Sequence, residues 1–166
     1  MRPSANYWID KLALTGHIEG GYFKEIYRSE IMLSAEGLPS KIKGERHLST
    51  SIYFLLEKGQ FSAFHRIASD EQWHFYFGDP LIVYELTTTG TCLEHLLGSN
   101  RERAENFQCV IKAGSWFGAR PAPQSEYCLV GCTVAPGFDF EDFELADRAQ
   151  LTEQFPQHAE IIGSLT

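Results

Sequence analysis

A histidine and a glutamate six residues apart, set among aromatic residues, are the positions in this 166-residue chain best placed to do chemistry together. They are His65 and Glu71, in the segment Gly59-QFSAF-His65-RIASD-Glu71-QWHFYF-Gly78. Side chains two apart on a strand share a face, so Phe61, Ala63, His65 and Ile67 are expected on one side of a strand. Ala68-Ser69-Asp70 reads as a turn, and Glu71, Trp73, Phe75 and Phe77 as the facing side of the next strand. The same parity puts His74 on the face opposite Glu71. An imidazole and a carboxylate among aromatic walls are the usual make-up of a small-molecule site. Imidazole titrates near neutrality, which suits proton removal beside a carbonyl, and a carboxylate can orient it or accept hydroxyl hydrogens.

The elements that must hold this pair are short strands. Ala5, Trp8, Ile9 and Leu12 recur at helical spacing behind Ser4, which predicts a helix over Ser4–Leu14 ending before Gly16. From Gly21 to Val134 the texture changes. Strands are expected at Tyr22–Ser29, Ser49–Glu57, Phe61–Ile67, Gln72–Phe77, Leu81–Leu86, Leu93–Leu97, Gln108–Ile111, Ser115–Ala119 and Tyr127–Val134. Turn residues such as Lys58-Gly59, Gly78-Asp79-Pro80, Thr89-Gly90 and Ala113-Gly114 separate them. Such spacing points to a sandwich, jelly roll or barrel. Ser34–Arg46 and Gly98–Asn106 read as loops. From Phe143 the tail turns helical, with a break at Pro156. No linker or internal repeat is evident, so residues 1–166 are expected to form one domain.

The Gly59, His65, Glu71, Gly78 register resembles the first cupin motif, with Ile67 where a second histidine would stand. Lys112-Ala113-Gly114-Ser115-Trp116-Phe117 resembles the second, with Lys112 replacing a proline and Phe117 replacing the metal-binding histidine. Two remaining ligands are too few for a tight transition-metal site, so no metal and no other cofactor is expected. Longer stretches resemble a family of bacterial and fungal cupins described as predicted sugar epimerases: HIEGGYFKEIYRS at 17–29, SIYFLL at 51–56, FHRIASDEQWHFYFGDPL at 64–81, AGSWFGA at 113–119 and GCTVAPGFDFEDFELADR at 131–148. That resemblance implies an all-β fold, a cupin double-stranded β-helix (jelly roll) barrel with an N-terminal helix and short C-terminal helices. It also implies a homodimer and a small ligand of the sugar or nucleotide-sugar class.

Gly20-Gly21-Tyr22-Phe23-Lys24-Glu25 is similar to the nucleotide-contacting strand of the dTDP-keto-deoxysugar epimerases, with Gly20 where an arginine would be. Those enzymes use a barrel histidine as base and a late tyrosine as acid, roles that the resemblance passes to His65 and Tyr127. The candidate catalytic set is thus His65, Glu71 and Tyr127. Candidate ligand contacts are Tyr22, Glu25, Arg28, Tyr53, Trp73, Phe75 and Phe117. Parity puts Tyr22 and Arg28 on one face of their strand, Glu25 and Tyr27 on the other. Three readings stay open: a metal-independent epimerase or isomerase, a non-catalytic binding module, and a metal-dependent cupin enzyme using His65, Glu71 and His74.

The bulk properties narrow the field. A net charge of −8 with no basic cluster argues against nucleic acid, whose phosphates need a basic face. No apolar run approaches the ~20 residues that span a bilayer, and MRPSANYWIDKLALTG lacks the features of a signal peptide, so a cytoplasmic chain is expected. Cys92, Cys109, Cys128 and Cys132 form no CxxC pair and read as reduced, mostly buried thiols. His17 and Glu19 read as loop residues before a glycine turn. Asp139, Glu141, Asp142 and Glu144, interleaved with Phe138, Phe140 and Phe143, read as solvated carboxylates between phenylalanines docked in the core. His47, His95 and His158 are assigned no role.

Overall fold

The structure, a computed structural model, describes residues 2–166. Helix α1 (Ala5–Leu12) begins where the Tyr7 N–H donates to Ser4 Oγ at 3.3 Å, as the N-cap reading requires. It ends at Ala13, which takes the left-handed conformation itself, and Gly16 has already entered β1 (Thr15–Gly16). There follow β2 (Tyr22–Arg28), β3 (Met32–Leu33), β4 (Arg46–His47), β5 (Thr50–Glu57), β6 (Ser62–Arg66) and β7 (Asp70–Gly78). The chain continues through β8 (Leu81–Leu86), β9 (Cys92–Leu97), β10 (Gln108–Ile111), β11 (Trp116–Pro121), β12 (Tyr127–Ala135) and β13 (Glu144–Leu145). It closes with α2 (Arg148–Gln154) and α3 (Ala159–Ser164). All nine expected strands are present to within two residues. The tail departs from expectation at its start: Glu144 and Leu145 pair with Arg66 and His65, and helix begins only at Arg148.

Two antiparallel sheets face each other, in the orders β1-β2-β5-β12-β7-β10 and β13-β6-β11-β8-β9. Phe54, Leu56, Trp73, Val83, Phe117 and Val130 fill the space between them. The outer face of the five-stranded sheet is apolar too, and Phe64, Tyr84, Leu86 and Trp116 are covered there by Leu151, Phe155, Ile162 and Leu165 of the C-terminal segment. Helix α1 covers Leu55, Tyr127 and Leu129 on the outside of the other sheet. The result is the jelly-roll barrel with terminal helices that the family resemblance implies, one of the three architectures the strand pattern allows.

Strict alternation fails at three irregularities, each of which re-aims side chains. In β2 the register against β5 shifts between Glu25 and Tyr27. In β7 it shifts against β12, so Phe75 and Phe77 oppose the adjacent residues Val130 and Leu129. Phe77 consequently joins the outer cluster under α1 rather than the barrel interior. In β6 the register against β11 shifts between His65 and Ser62. Phe61 therefore packs with the outer cluster, while His65 and Ile67 face inward.

Candidate functional site

The strand ends around His65 leave a cavity of about 90 Å³ between the two sheets. His65 and Glu71 both line it, so the hairpin brings the imidazole and the carboxylate to one space. Both side chains are buried. The His65 ring lies against Phe117, with centroids 4.1 Å apart, and stacks on Phe143 at 5.3 Å.

The residue that fixes His65 comes from the segment before β2. His65 Nδ1 sits 2.9 Å from a Glu19 carboxylate oxygen and 2.7 Å from the Ala63 carbonyl oxygen. A carbonyl can only accept, so the Nδ1 proton stays in place and Nε2 carries the lone pair of the neutral ring. Glu19 is held there by the chain itself: its carbonyl accepts from the Ala63 N–H at 2.8 Å. Gly20, at φ 109°, passes so close to the Phe61 carbonyl that a Cβ would not fit. His17 completes the segment. The Glu19 N–H donates to His17 Nδ1 at 3.3 Å, which makes that nitrogen an acceptor and keeps the ring neutral. Burial lowers the His17 pKa in the same sense.

The three buried titratable groups adjust one another. Burial alone would lower the His65 pKa, but the charge and hydrogen bond of Glu19, with Glu71 adding, raise it above the ordinary imidazole value. Glu19 is conversely held below the carboxylate range, its burial outweighed by His65. Glu71 is pushed up to about 7, first by burial and then by the Glu19 charge, against the opposing pull of His65. The cavity therefore sets an ionised Glu19 against a His65 whose pKa is raised, with Glu71 held toward its protonated form by burial and His17 kept neutral.

The outer wall is aromatic. Phe138, Phe140 and Phe143 pack edge to face and line the cavity, so the phenylalanines read as core anchors are in part its cover. The carboxylates between them are not all solvated. Asp142 makes a two-point pair with the buried Arg46, at 2.9 Å from Nε and 3.0 Å from Nη2. Phe138 N–H donates to Thr50 Oγ1 at 2.9 Å. Both contacts tie this cover to the strands beneath.

Glu25 and Arg28 also line the cavity, with Phe23. Parity separated Glu25 from Arg28; the register shift after Glu25 brings Arg28 back to the same side. The other candidates lie elsewhere. Tyr127 packs under α1, where its hydroxyl donates to the Pro3 carbonyl at 2.6 Å and accepts from Trp8 Nε1 at 3.2 Å. Strand direction carries it outward and away from the cavity. Tyr22 and Tyr53 belong to the same outer cluster. Trp73, Phe75 and Phe117 pack in the core between the sheets and do not border the cavity. His74 faces outward against Thr133 Oγ1 at 3.1 Å, and so cannot join His65 and Glu71. Sequence reasoning missed His17, Glu19, Thr50, Ile52, Cys132 and Val134 as lining residues. Only the Gly20-Gly21 pair hinted that the first two would be pressed against the barrel.

A jelly roll with a histidine and a glutamate at one open end is the cupin architecture. The Cupin superfamily (DUF985) model matches residues 6–146, and the chain belongs to that family. A hypothetical protein from Leishmania major superposes with a TM-score of 0.90 at 36% identity, covering 99% of each chain. A protein of Shewanella oneidensis gives 0.87 at 37% identity, covering 99% of this chain and 98% of its own. An uncharacterized protein of Saccharomyces cerevisiae is 30% identical over 146 residues, 81% of this chain and 71% of its own length. Oxalate decarboxylase of Bacillus subtilis, a protein with Mn(II) centers, shares the fold alone at 14% identity and a TM-score of 0.55, with 91% of this chain covering 36% of that one. The donor set here does not suit such a metal. Ile67 and Phe117 are apolar, and no group of three His, Cys, Asp or Glu among the described residues is arranged to hold an ion. Among the described residues, no helix is long and apolar enough to cross a membrane.

Proposed function

We propose that this cupin is a metal-independent proton-transfer enzyme, an isomerase or epimerase acting at a carbon beside a carbonyl in a small polar, sugar-like substrate. One observation carries the reading: His65 Nδ1 is held by Glu19 and the Ala63 carbonyl, leaving Nε2 as the base, in the same cavity as a carboxyl titrating at about 7. A base and an acid matched to neutral pH are what enolisation needs. The substrate C–H bond breaks toward His65 Nε2 and its electron pair moves into the carbonyl as an enolate. Glu71 in its acid form returns a proton to carbon or to the enolate oxygen. The enzyme then holds an imidazolium and a carboxylate, and exchange with water restores it. Glu19 stabilises the imidazolium throughout.

Glu71 takes the acid role that the epimerase resemblance gave to a tyrosine. At about 90 Å³ the cavity is well below the ~300–1,000 Å³ of pockets that bury drug-sized ligands. It suits the reacting end of a substrate of a few carbons, and a nucleotide would have to lie outside it. Incubation of a panel of keto-sugars and hydroxy-ketones in D2O should place deuterium on the carbon beside the carbonyl, and His65→Gln should stop it. Exchange in no member of the panel, or exchange unaffected by His65→Gln, defeats the proposal. Saturable binding without exchange would leave a binding module.

A further inference from the structure

We propose that Arg28 is the anchor for an anionic group on the substrate, which takes the place that Glu25 now fills, so that the site selects small carbonyl compounds bearing a carboxylate or phosphate. The inference rests on the proton-transfer reading and names the class of molecule it acts on.

Arg28 is the one lysine or arginine bordering the cavity among the described residues. Its guanidinium is already aimed. Nε donates to Glu25 Oε1 at 3.0 Å and Nη2 to Glu25 Oε2 at 2.6 Å, a two-point fork of the kind that planar oxyanions match. Nη1 donates to the Phe138 carbonyl at 3.3 Å, which fixes the plane from the side of the aromatic cover. The arrangement exists because of the irregularity in β2. Glu25 opposes Ile52 and Tyr27 opposes Ser51, leaving Ile26 as the extra residue, exposed at 45%. A regular strand would put only one member of the pair on this wall. Bulges beside functional sites commonly serve to re-aim one side chain in this way.

The pair is also exchangeable. Its side chains are 34% and 41% exposed, and ion pairs in such surroundings are weak, so a ligand oxyanion can replace Glu25 at little cost. Deeper in, the Glu19 carboxylate is engaged with His65 Nδ1 at 2.9 Å, so it does not compete with the incoming anion for Arg28. The two ends of the cavity thus ask for different parts of one molecule: an anion at Arg28 and a carbonyl between His65 and Glu71.

Two matched probe pairs test this by calorimetry: dihydroxyacetone phosphate against dihydroxyacetone, and pyruvate against hydroxyacetone. The first pair reports a phosphate anchor and the second a carboxylate. At least one anion should bind more tightly than its neutral counterpart. Arg28→Met should weaken that anion roughly ten- to a hundredfold, the worth of one charge-assisted contact. Glu25→Gln, which frees the guanidinium, should tighten it severalfold, and it guards against a trivial loss through misfolding. His65→Gln should keep the preference for anions while losing deuterium exchange, so failure of the proton-transfer reading is seen separately. Equal binding of anion and neutral compound, no binding of either anion at millimolar concentration, or an unchanged anion affinity in both rim variants overturns the assignment.

Discussion

Glu19 holds His65 from below: its carboxylate lies 2.9 Å from Nδ1 of the imidazole, on the ring edge away from the nitrogen left to act as base. This contact raises the His65 pKa against the effect of burial. In Glu19→Gln the imidazole should therefore titrate lower than in the wild type, read by NMR of the His65 ring protons. Exchange should slow as well, because the imidazolium loses its counter-charge. His65→Gln should cost more, roughly 10²–10⁴-fold in exchange rate, the usual worth of a positioned general base. An unmoved His65 titration in Glu19→Gln would show that the carboxylate does not govern the ring.

Activity should follow a bell-shaped pH profile. The base must be neutral, so the rate rises as pH passes through the raised value of His65. The acid must be protonated, so the rate falls as pH passes through about 7 at Glu71. Because the groups are coupled, the two limbs belong to the pair. Glu71→Gln should remove the alkaline limb. A flat profile through about pH 7, where Glu71 changes charge, would contradict the assignment of an acid and a base here.

Much of this site was legible in the sequence, and what was not has a common cause. His65 and Glu71 are legible because their spacing fits the Gly59–Gly78 motif and both lie on the turn side of the irregularities in β6 and β7. Arg28 was put on the wrong side, Phe61 and Phe77 in the wrong cluster, because one extra residue in a strand reverses the parity of everything beyond it. Nothing local in FKEIYR or HFYFG marks the shift; it is set by the partner strand. Glu19 was missed because it is on no regular element, and its position depends on Gly20 meeting the Phe61 carbonyl across the fold. Tyr127 was misplaced by resemblance, which supplied a role without a direction for the side chain.

The hydroxyl of Tyr127 is structural. It joins Pro3 and Trp8 and so pins the N-terminal helix to β12. Tyr127→Phe should leave exchange unchanged and lower stability by about 0.5–1.5 kcal/mol, the net worth of an ordinary hydrogen bond. Urea denaturation measures the stability; loss of exchange in a folded Tyr127→Phe protein would return this residue to the mechanism.

The aromatic cover depends on Arg46 and Asp142. Asp142→Ala leaves a buried guanidinium without its two-point partner, and breaking such a pair typically costs about 3–5 kcal/mol. The Arg46→Met, Asp142→Leu double variant removes both charges and should recover much of the loss. If the cover shields the cavity from water, Asp142→Ala should also make the Phe138–Phe143 segment more open to proteolysis, and the double variant less so. Equal stability of Asp142→Ala and the wild type would mean that the pair contributes nothing to closing the site.

Glu71 should make the protein less stable as pH rises, the reverse of an ordinary paired carboxylate. Its folded pKa, about 7, lies above the ordinary value of 4.5 that it takes when unfolded. Between those values the folded state binds more proton than the unfolded one, so unfolding free energy falls with increasing pH. The full cost is reached above about pH 7, and the shift corresponds to no more than about 3 kcal/mol. Glu71→Gln keeps the shape and cannot ionise. It should match the wild type near pH 4 and exceed it in stability at pH 8, as followed by denaturant midpoints at the two values. A Gln variant no more stable than the wild type at pH 8 would mean that the carboxylate is well solvated there, and the acid role assigned to it would fall with the raised pKa.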